Sequence, residues 1–108
     1  MSLQPDDLHS AWAQLLAASL LQSGVAQAVI SPGSRSTPLA LALAAHLPTT
    51  VLHDERAAAF FALGQARATG RVSVVLATSG TAPGHWLPAA MEAREAGLPL
   101  LLLSADRP

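Results

Sequence analysis

The sequence predicts an α/β fold in three layers, α/β/α, around a parallel sheet. Four short apolar runs, residues 25–30, 49–53, 72–77 and 98–103, lack the polar alternation of a half-exposed sheet, so both faces are covered. Stretches of helical character and roughly ten or more residues separate these runs, the length that parallel crossovers need. Polar residues collect after the runs, at Ser31–Thr37, His53–Glu55, Thr78–Thr81 and Ser104–Arg107. The turns before them carry mainly Gly24, Pro48, Gly70 and Gly97. In a parallel sheet the polar loops share the C-terminal edge, where open α/β folds bind ligands.

Taken in order, residues 6–23 open on Asp6 and Asp7, which suit a helix N-terminus by capping and by charge. Leu8, Trp12, Leu15, Leu16 and Leu20 recur at helical spacing and predict an apolar stripe with Trp12 in the core. Gly24 stops the helix. Val25–Ile30 is the first strand. In the loop that follows, SPGSRSTP, Thr37 is the expected N-cap and Pro38 the first helical residue. That helix runs to Leu47, is apolar nearly all round and predicts burial on more than one side. Residues 49–53 form the next strand, and Asp54 caps a helix over 55–68 with Glu55 in its first turn. Val72–Ala77 leads into TSGTA, a glycine turn with Thr81 as cap, and a helix from there to Glu95. Residues 98–103 are the last strand. The order is α-β-α-β-α-β-α-β, without internal repeat or low-complexity linker.

The 108 residues support one domain at most. Hydrophobic residues make up 51% and charged residues only 12%, against about 25% charged in an ordinary soluble domain. The excess of apolar residues implies a sheet buried on both faces, an interface on part of the surface, or both. Net charge is −1 and all six basic residues are scattered arginines, which excludes a basic nucleic-acid footprint. The absence of cysteine removes disulfides, thiolate metal sites and a cysteine nucleophile. No apolar run approaches the length of about 20 residues that a membrane span needs, so a cytoplasmic protein without membrane contact is expected.

Several chemistries fail on spacing. GxGxxG, GxxxxGK[ST] and GxSxG are absent, against dinucleotide, P-loop and hydrolase-elbow readings. His53 and His85 lack metal-ligand spacing, and nothing favours a triad of Ser34, His53 and Asp106. What remains is SPGSRSTP, which sets hydroxyls and a guanidinium at a helix N-terminus and suits an anion. Its plain reading is a well-capped turn with a solvated Arg35. Glu55, a carboxylate at the rim of a charge-poor chain, is the other candidate; its plain reading is a solvated first-turn acid.

Together, SPGSRSTP, HDER before an alanine-rich helix, ATSGTA and SADRP resemble the N-terminal part of a thiamine-diphosphate-dependent family of menaquinone biosynthesis, the 2-succinyl-5-enolpyruvyl-6-hydroxy-3-cyclohexene-1-carboxylate synthases. The likeness runs from about Trp12 to Pro108, with the four motifs in the family's order. It implies that residues 1–108 are the N-terminal part of the pyrimidine-binding (Pyr) domain, with the rest of the enzyme absent. Glu55 matches the glutamate that hydrogen-bonds the aminopyrimidine ring and drives its tautomerisation; Thr81 would lie near that ring. Ser34, Arg35 and Arg107 match substrate-pocket positions. The implied substrates are isochorismate and 2-oxoglutarate, whose carboxylates suit arginine. Thiamine diphosphate is the implied cofactor, with Mg²⁺ bound by the missing C-terminal domain and no metal ligand in this chain. The resemblance further implies a homo-oligomer with the active site between subunits, and a fragment inactive alone. One departure stands out: after TSGTA relatives read V-A-N, and here Pro83-Gly84-His85-Trp86 follows, with Gly84 early in the expected helix. Two other readings compete, an acetohydroxyacid-synthase-like or oxalyl-type decarboxylase and a non-catalytic anion-binding α/β module. The first gives Arg35 no carboxylate to hold.

Overall fold

A computed structural model describes residues 5–105, with side chains from residue 8 onward. The elements follow the expected order: α1 (Pro5–Gln22), β1 (Val25–Ile30), α2 (Thr37–His46), β2 (Thr49–Val51), α3 (Glu55–Thr69), β3 (Val72–Ala77), α4 (Leu87–Ala96) and β4 (Leu100–Ser104). Short 3₁₀ turns at Ser34–Ser36 and Ala82–Trp86 precede α2 and α4. No helix among the described residues is long and apolar enough to cross a membrane.

All pairings in the sheet are parallel, in the order β2-β1-β3-β4. The chain steps from β1 to one side, then crosses back over it and continues to the other. Right-handed crossovers therefore place α2 on one face and α3 with α4 on the opposite face. The core divides accordingly. Ala28, Ile30, Val74 and Leu76 face Ala13 and Ala17 of α1 and Ala42 and Leu43 of α2. Val29, Val75 and Ala77 face Ala58, Ala59 and Ala62 of α3, with Trp86 and Ala89. These are the three layers expected, with alternate residues of each strand serving opposite faces. More than half of the buried apolar side chains are alanine, so the helices lie close upon the sheet.

A polar network crosses one layer. Gln27 donates to the Ser73 hydroxyl, and that hydroxyl donates to Gln65 Oε1 at 3.3 Å. It ties β1, β3 and α3 together beside the irregular register between Val25 and Gln27. Ser73 is wholly buried, and its hydrogen bonds keep that burial from leaving an unpaired hydroxyl.

The structure corrects several expectations. In α1 the alanines take the core, and Leu8, Trp12 and Leu15 point outward at 51%, 61% and 66% exposure. Small residues at positions 13 and 17 let α1 approach α2 closely, which leaves Leu8, Trp12 and Leu15 outside, while Leu16 and Leu20 of the expected stripe are partly buried and Leu20 packs against the core. Helix α1 begins at Pro5, which puts Asp6 and Asp7 within its first turn rather than at the cap. Helix α2 buries one side only, through Ala42 and Leu43, while Leu41 stays 66% exposed. Strand β2 stops at Val51, because Leu52 to Asp54 turn to begin α3. Helix α4 starts at Leu87 with proline in its first turn. Pro88 has no N–H for a bond one turn back, so the preceding residues wind as a 3₁₀ turn. Gly84 belongs to that turn and its N–H reaches the Thr81 carbonyl at 3.0 Å.

Candidate functional site

Parallel pairing brings the polar loops after β1, β2 and β3, with Ser104 and Ala105 at the end of β4, to one edge, and specific contacts join them. The Ser31 hydroxyl donates to the Leu52 carbonyl at 2.7 Å, linking the loop after β1 to the one after β2. Gly33 lies against Thr78 across the crevice between β1 and β3. A methyl group on Gly33 would come within 2.7 Å of Thr78 Cγ2 and 2.8 Å of its Oγ1. Gly33 is extended, at φ −169°, so glycine is needed here for space and not for its backbone freedom. The Ala105 N–H reaches the Ala77 carbonyl at 3.2 Å and binds the end of β4 to the end of β3. The β1–β3 crevice is where the chain changes direction in the sheet, the place at which such folds admit ligands.

Glu55 is the first residue of α3, directly beyond β2, and is half-buried. The helix cap is made by its neighbour: Asp54 Oδ1 accepts from the N–H groups of Arg56 at 2.9 Å and Ala57 at 3.2 Å. That is the cap the sequence predicts, and it leaves the Glu55 carboxylate out of the capping. A carboxylate at the positive end of a helix, partly withdrawn from water, is a strong hydrogen-bond acceptor.

Ser34 and Arg35 sit on the 3₁₀ turn and are exposed. The turn is wound tightly on one atom, the Gly33 carbonyl. It accepts from the Ser36 hydroxyl at 3.0 Å and the Thr37 hydroxyl at 3.2 Å, and from the Ser36 N–H at 3.2 Å. Thr37 is therefore the first residue of α2 and not its cap: its hydroxyl turns back to Gly33. Arg35 borders a hollow of about 390 Å³ between α1 and the end of β4, walled by His9, Trp12, Leu39, Leu103 and Ser104. Thr81 is exposed, follows Gly80 in a left-handed conformation at φ +80°, and makes no side-chain cap. Arg107 lies outside the described residues.

Glu55 heads a helix of the α3/α4 face, whereas Arg35 lines a hollow on the α1 side, so the two approach the sheet edge from opposite faces. Between them stand the Gly33 and Thr78 loops. Among the described residues no group of three or more His, Cys, Asp or Glu side chains is placed to hold a metal ion. The arrangement offers a hydrogen-bond acceptor on one flank and a guanidinium with hydroxyls on the other, about a narrow crevice. It suits a ligand that donates a hydrogen bond on one side and carries an anionic group on the other. Ser31 and the Gly33–Thr78 contact escape sequence reading, since neither residue type nor spacing announces a partner more than twenty residues away; only the buried position after a strand hints at Ser31.

Residues 11–108 match the profile described as "Thiamine pyrophosphate enzyme, N-terminal TPP binding domain". The chain is 57% identical over 104 residues to the 2-succinyl-5-enolpyruvyl-6-hydroxy-3-cyclohexene-1-carboxylate synthase of Sorangium cellulosum (strain So ce56), covering 94% of this chain and 17% of that protein. To the synthase of the same name from Dechloromonas aromatica (strain RCB) it is 52% identical over 103 residues, 94% of this chain and 19% of the relative. To that of Synechococcus elongatus it is 46% identical over 110 residues, the whole of this chain and 19% of the relative. The chain thus spans less than a fifth of the length of these curated relatives.

Proposed function

The chain belongs to the thiamine pyrophosphate enzyme family, in its N-terminal TPP binding domain, and on that premise we propose that it is the N-terminal part of the Pyr domain of a carboligating synthase. The whole enzyme would decarboxylate 2-oxoglutarate and join the resulting four-carbon unit to isochorismate in menaquinone biosynthesis. The identity of 46% to 57% to synthases that carry this product in their names supports the pathway. The observation that carries the chemistry is Glu55: half-buried, at the head of α3, on the ligand-binding edge, and not used in the helix cap.

Thiamine diphosphate, when bound, supplies the acidic carbon and electron sink on which a 2-oxo acid can lose carbon dioxide. Glu55 would share a proton with a pyrimidine ring nitrogen, its carboxylate accepting the hydrogen bond when that nitrogen is protonated, an interaction that strengthens as water leaves the crevice. Thr81 borders the ring. Ser34, Arg35 and Arg107 take substrate carboxylates, for which the guanidinium fork is matched in shape and charge. Mg²⁺ and the diphosphate belong to the C-terminal part of the enzyme. The same reading places the enzyme in the cytoplasm as a homo-oligomer with its active site between subunits, and makes residues 1–108 alone inactive.

The test compares full-length wild type with Glu55→Gln, given isochorismate, 2-oxoglutarate, thiamine diphosphate and Mg²⁺. Glutamine keeps the shape without the negative charge. Turnover by wild type and a loss of orders of magnitude in the variant, with cofactor still bound, is the expected result. A wild type inactive on this pair removes the pathway. A variant as active as wild type removes Glu55 from the chemistry.

A further inference from the structure

Between β2 and α3 the chain has little to hold it. Strand β2 is three residues long and among the described residues pairs only with β1, and His53 and Asp54 are exposed. Yet Glu55 follows at once, and its use depends on where this segment is fixed. Two hydrogen bonds fix it to the sheet. The Leu52 N–H donates to the Ile30 carbonyl at 3.0 Å, and the Leu52 carbonyl accepts from the Ser31 hydroxyl at 2.7 Å. Ser31 is itself anchored, since its N–H donates to Leu76 of β3 at 2.9 Å and only 2% of its surface is exposed. The line therefore runs from the central strand β3 through the Ser31 backbone and hydroxyl to Leu52, three residues before Glu55. Among the described residues no other side-chain hydrogen bond joins the loop after β1 to this segment.

We propose that Ser31 is a positioning residue: its hydroxyl holds the Leu52 carbonyl so that Glu55 is kept at a fixed place on the C-terminal edge of the sheet. This rests on the role given to Glu55 above. Removing the hydroxyl leaves a part-buried carbonyl without its donor, and the segment must shift to rehydrate it. A displacement on the order of 1 Å in a catalytic group is enough to cost about a hundredfold in rate. Ligand contacts made by Arg35 and Ser34 sit on the other side of the loop and need not change.

The experiment uses the full-length enzyme as wild type, Ser31→Ala, Glu55→Gln and the double variant. For Ser31→Ala, kcat is expected to fall by about ten- to a hundredfold, with KM for both substrates within about threefold of wild type. In the Glu55→Gln background the same change is expected to cost nothing further, because a residue that acts through Glu55 has nothing left to position. Amide exchange of the cofactor-free enzyme supplies a reading independent of turnover. Faster exchange in Ser31→Ala should be confined to peptides covering residues 52–57, where the Leu52, Arg56 and Ala57 amides are bonded. Ser31→Ala with unchanged kcat, an equal loss in both backgrounds, or faster exchange spread over the whole sheet each overturns the proposal. If wild type does not turn over these substrates, the pathway reading has failed and the exchange pattern alone decides on the clamp.

Discussion

At Gly33 the two central loops of the sheet edge approach so closely that a single added carbon meets the Thr78 side chain. The threonine is short and branched at the point of collision, so it cannot swing aside as a long flexible chain would. Gly33→Ala is expected to force the loops apart, costing about 1–3 kcal/mol and opening the crevice. A lowered thermal midpoint with weakened cofactor binding is the signature, and an unchanged midpoint would show that the loops yield freely. What was legible at this scale followed from chemistry. Asp54 reads as a cap and Glu55 as a stranded acid because charge is rare in this chain and both follow an apolar run. Ser31 was not legible, because its importance lies in a carbonyl brought to it by strand pairing.

Elements show a similar division. Apolar runs with glycine or proline stops located the four strands and four helices, since burial on both faces erases alternation and helices end where glycine or proline follows. Faces were harder. In α1 both the leucine stripe and the alanines recur at helical spacing, and the sheet takes the smaller set. Near α4 the decisive residue is Trp86, 5% exposed in the 3₁₀ turn, packed among the alanines of α3. Its indole N–H is buried with no acceptor among the described residues. Trp86→Phe gives up some ring area but also removes an unpaired donor worth about 1–3 kcal/mol, so the two effects nearly cancel. Trp86→Ala opens a cavity and costs about 3–5 kcal/mol. Denaturant titration of the two variants separates these outcomes; a phenylalanine as damaging as alanine would mean that the N–H is in fact satisfied.

For the molecule as a whole, three layers could be read from the sequence but the strand order β2-β1-β3-β4 could not. Periodicity says which segments are strands and is silent about their neighbours; only the handedness of crossovers and the packing of α1 on α2 select this order. The same view shows what is left uncovered. Leu8, Trp12 and Leu15 on α1, Phe60 and Phe61 on α3, and Leu87 and Met91 on α4 are all exposed, and each outer strand, β2 and β4, has a partner on one side only among the described residues. Open strand edges and large apolar patches promote association. The 108-residue chain expressed alone is therefore expected to self-associate, with a light-scattering mass that rises with concentration. A constant monomer mass across concentrations would count against it.

The alanine lining described for the core bears on how this domain can change over generations. A position already filled by the smallest apolar side chain offers almost no neutral neighbours: nearly every replacement is larger, and helix and sheet would have to part to admit it. The inner faces of α1, α3 and α4 are thus slow to drift, whereas the outward leucines and phenylalanines can vary as freely as whatever lies against them permits. Inherited variation in this domain should accumulate from the outside inward, with the record of descent held longest in its smallest residues.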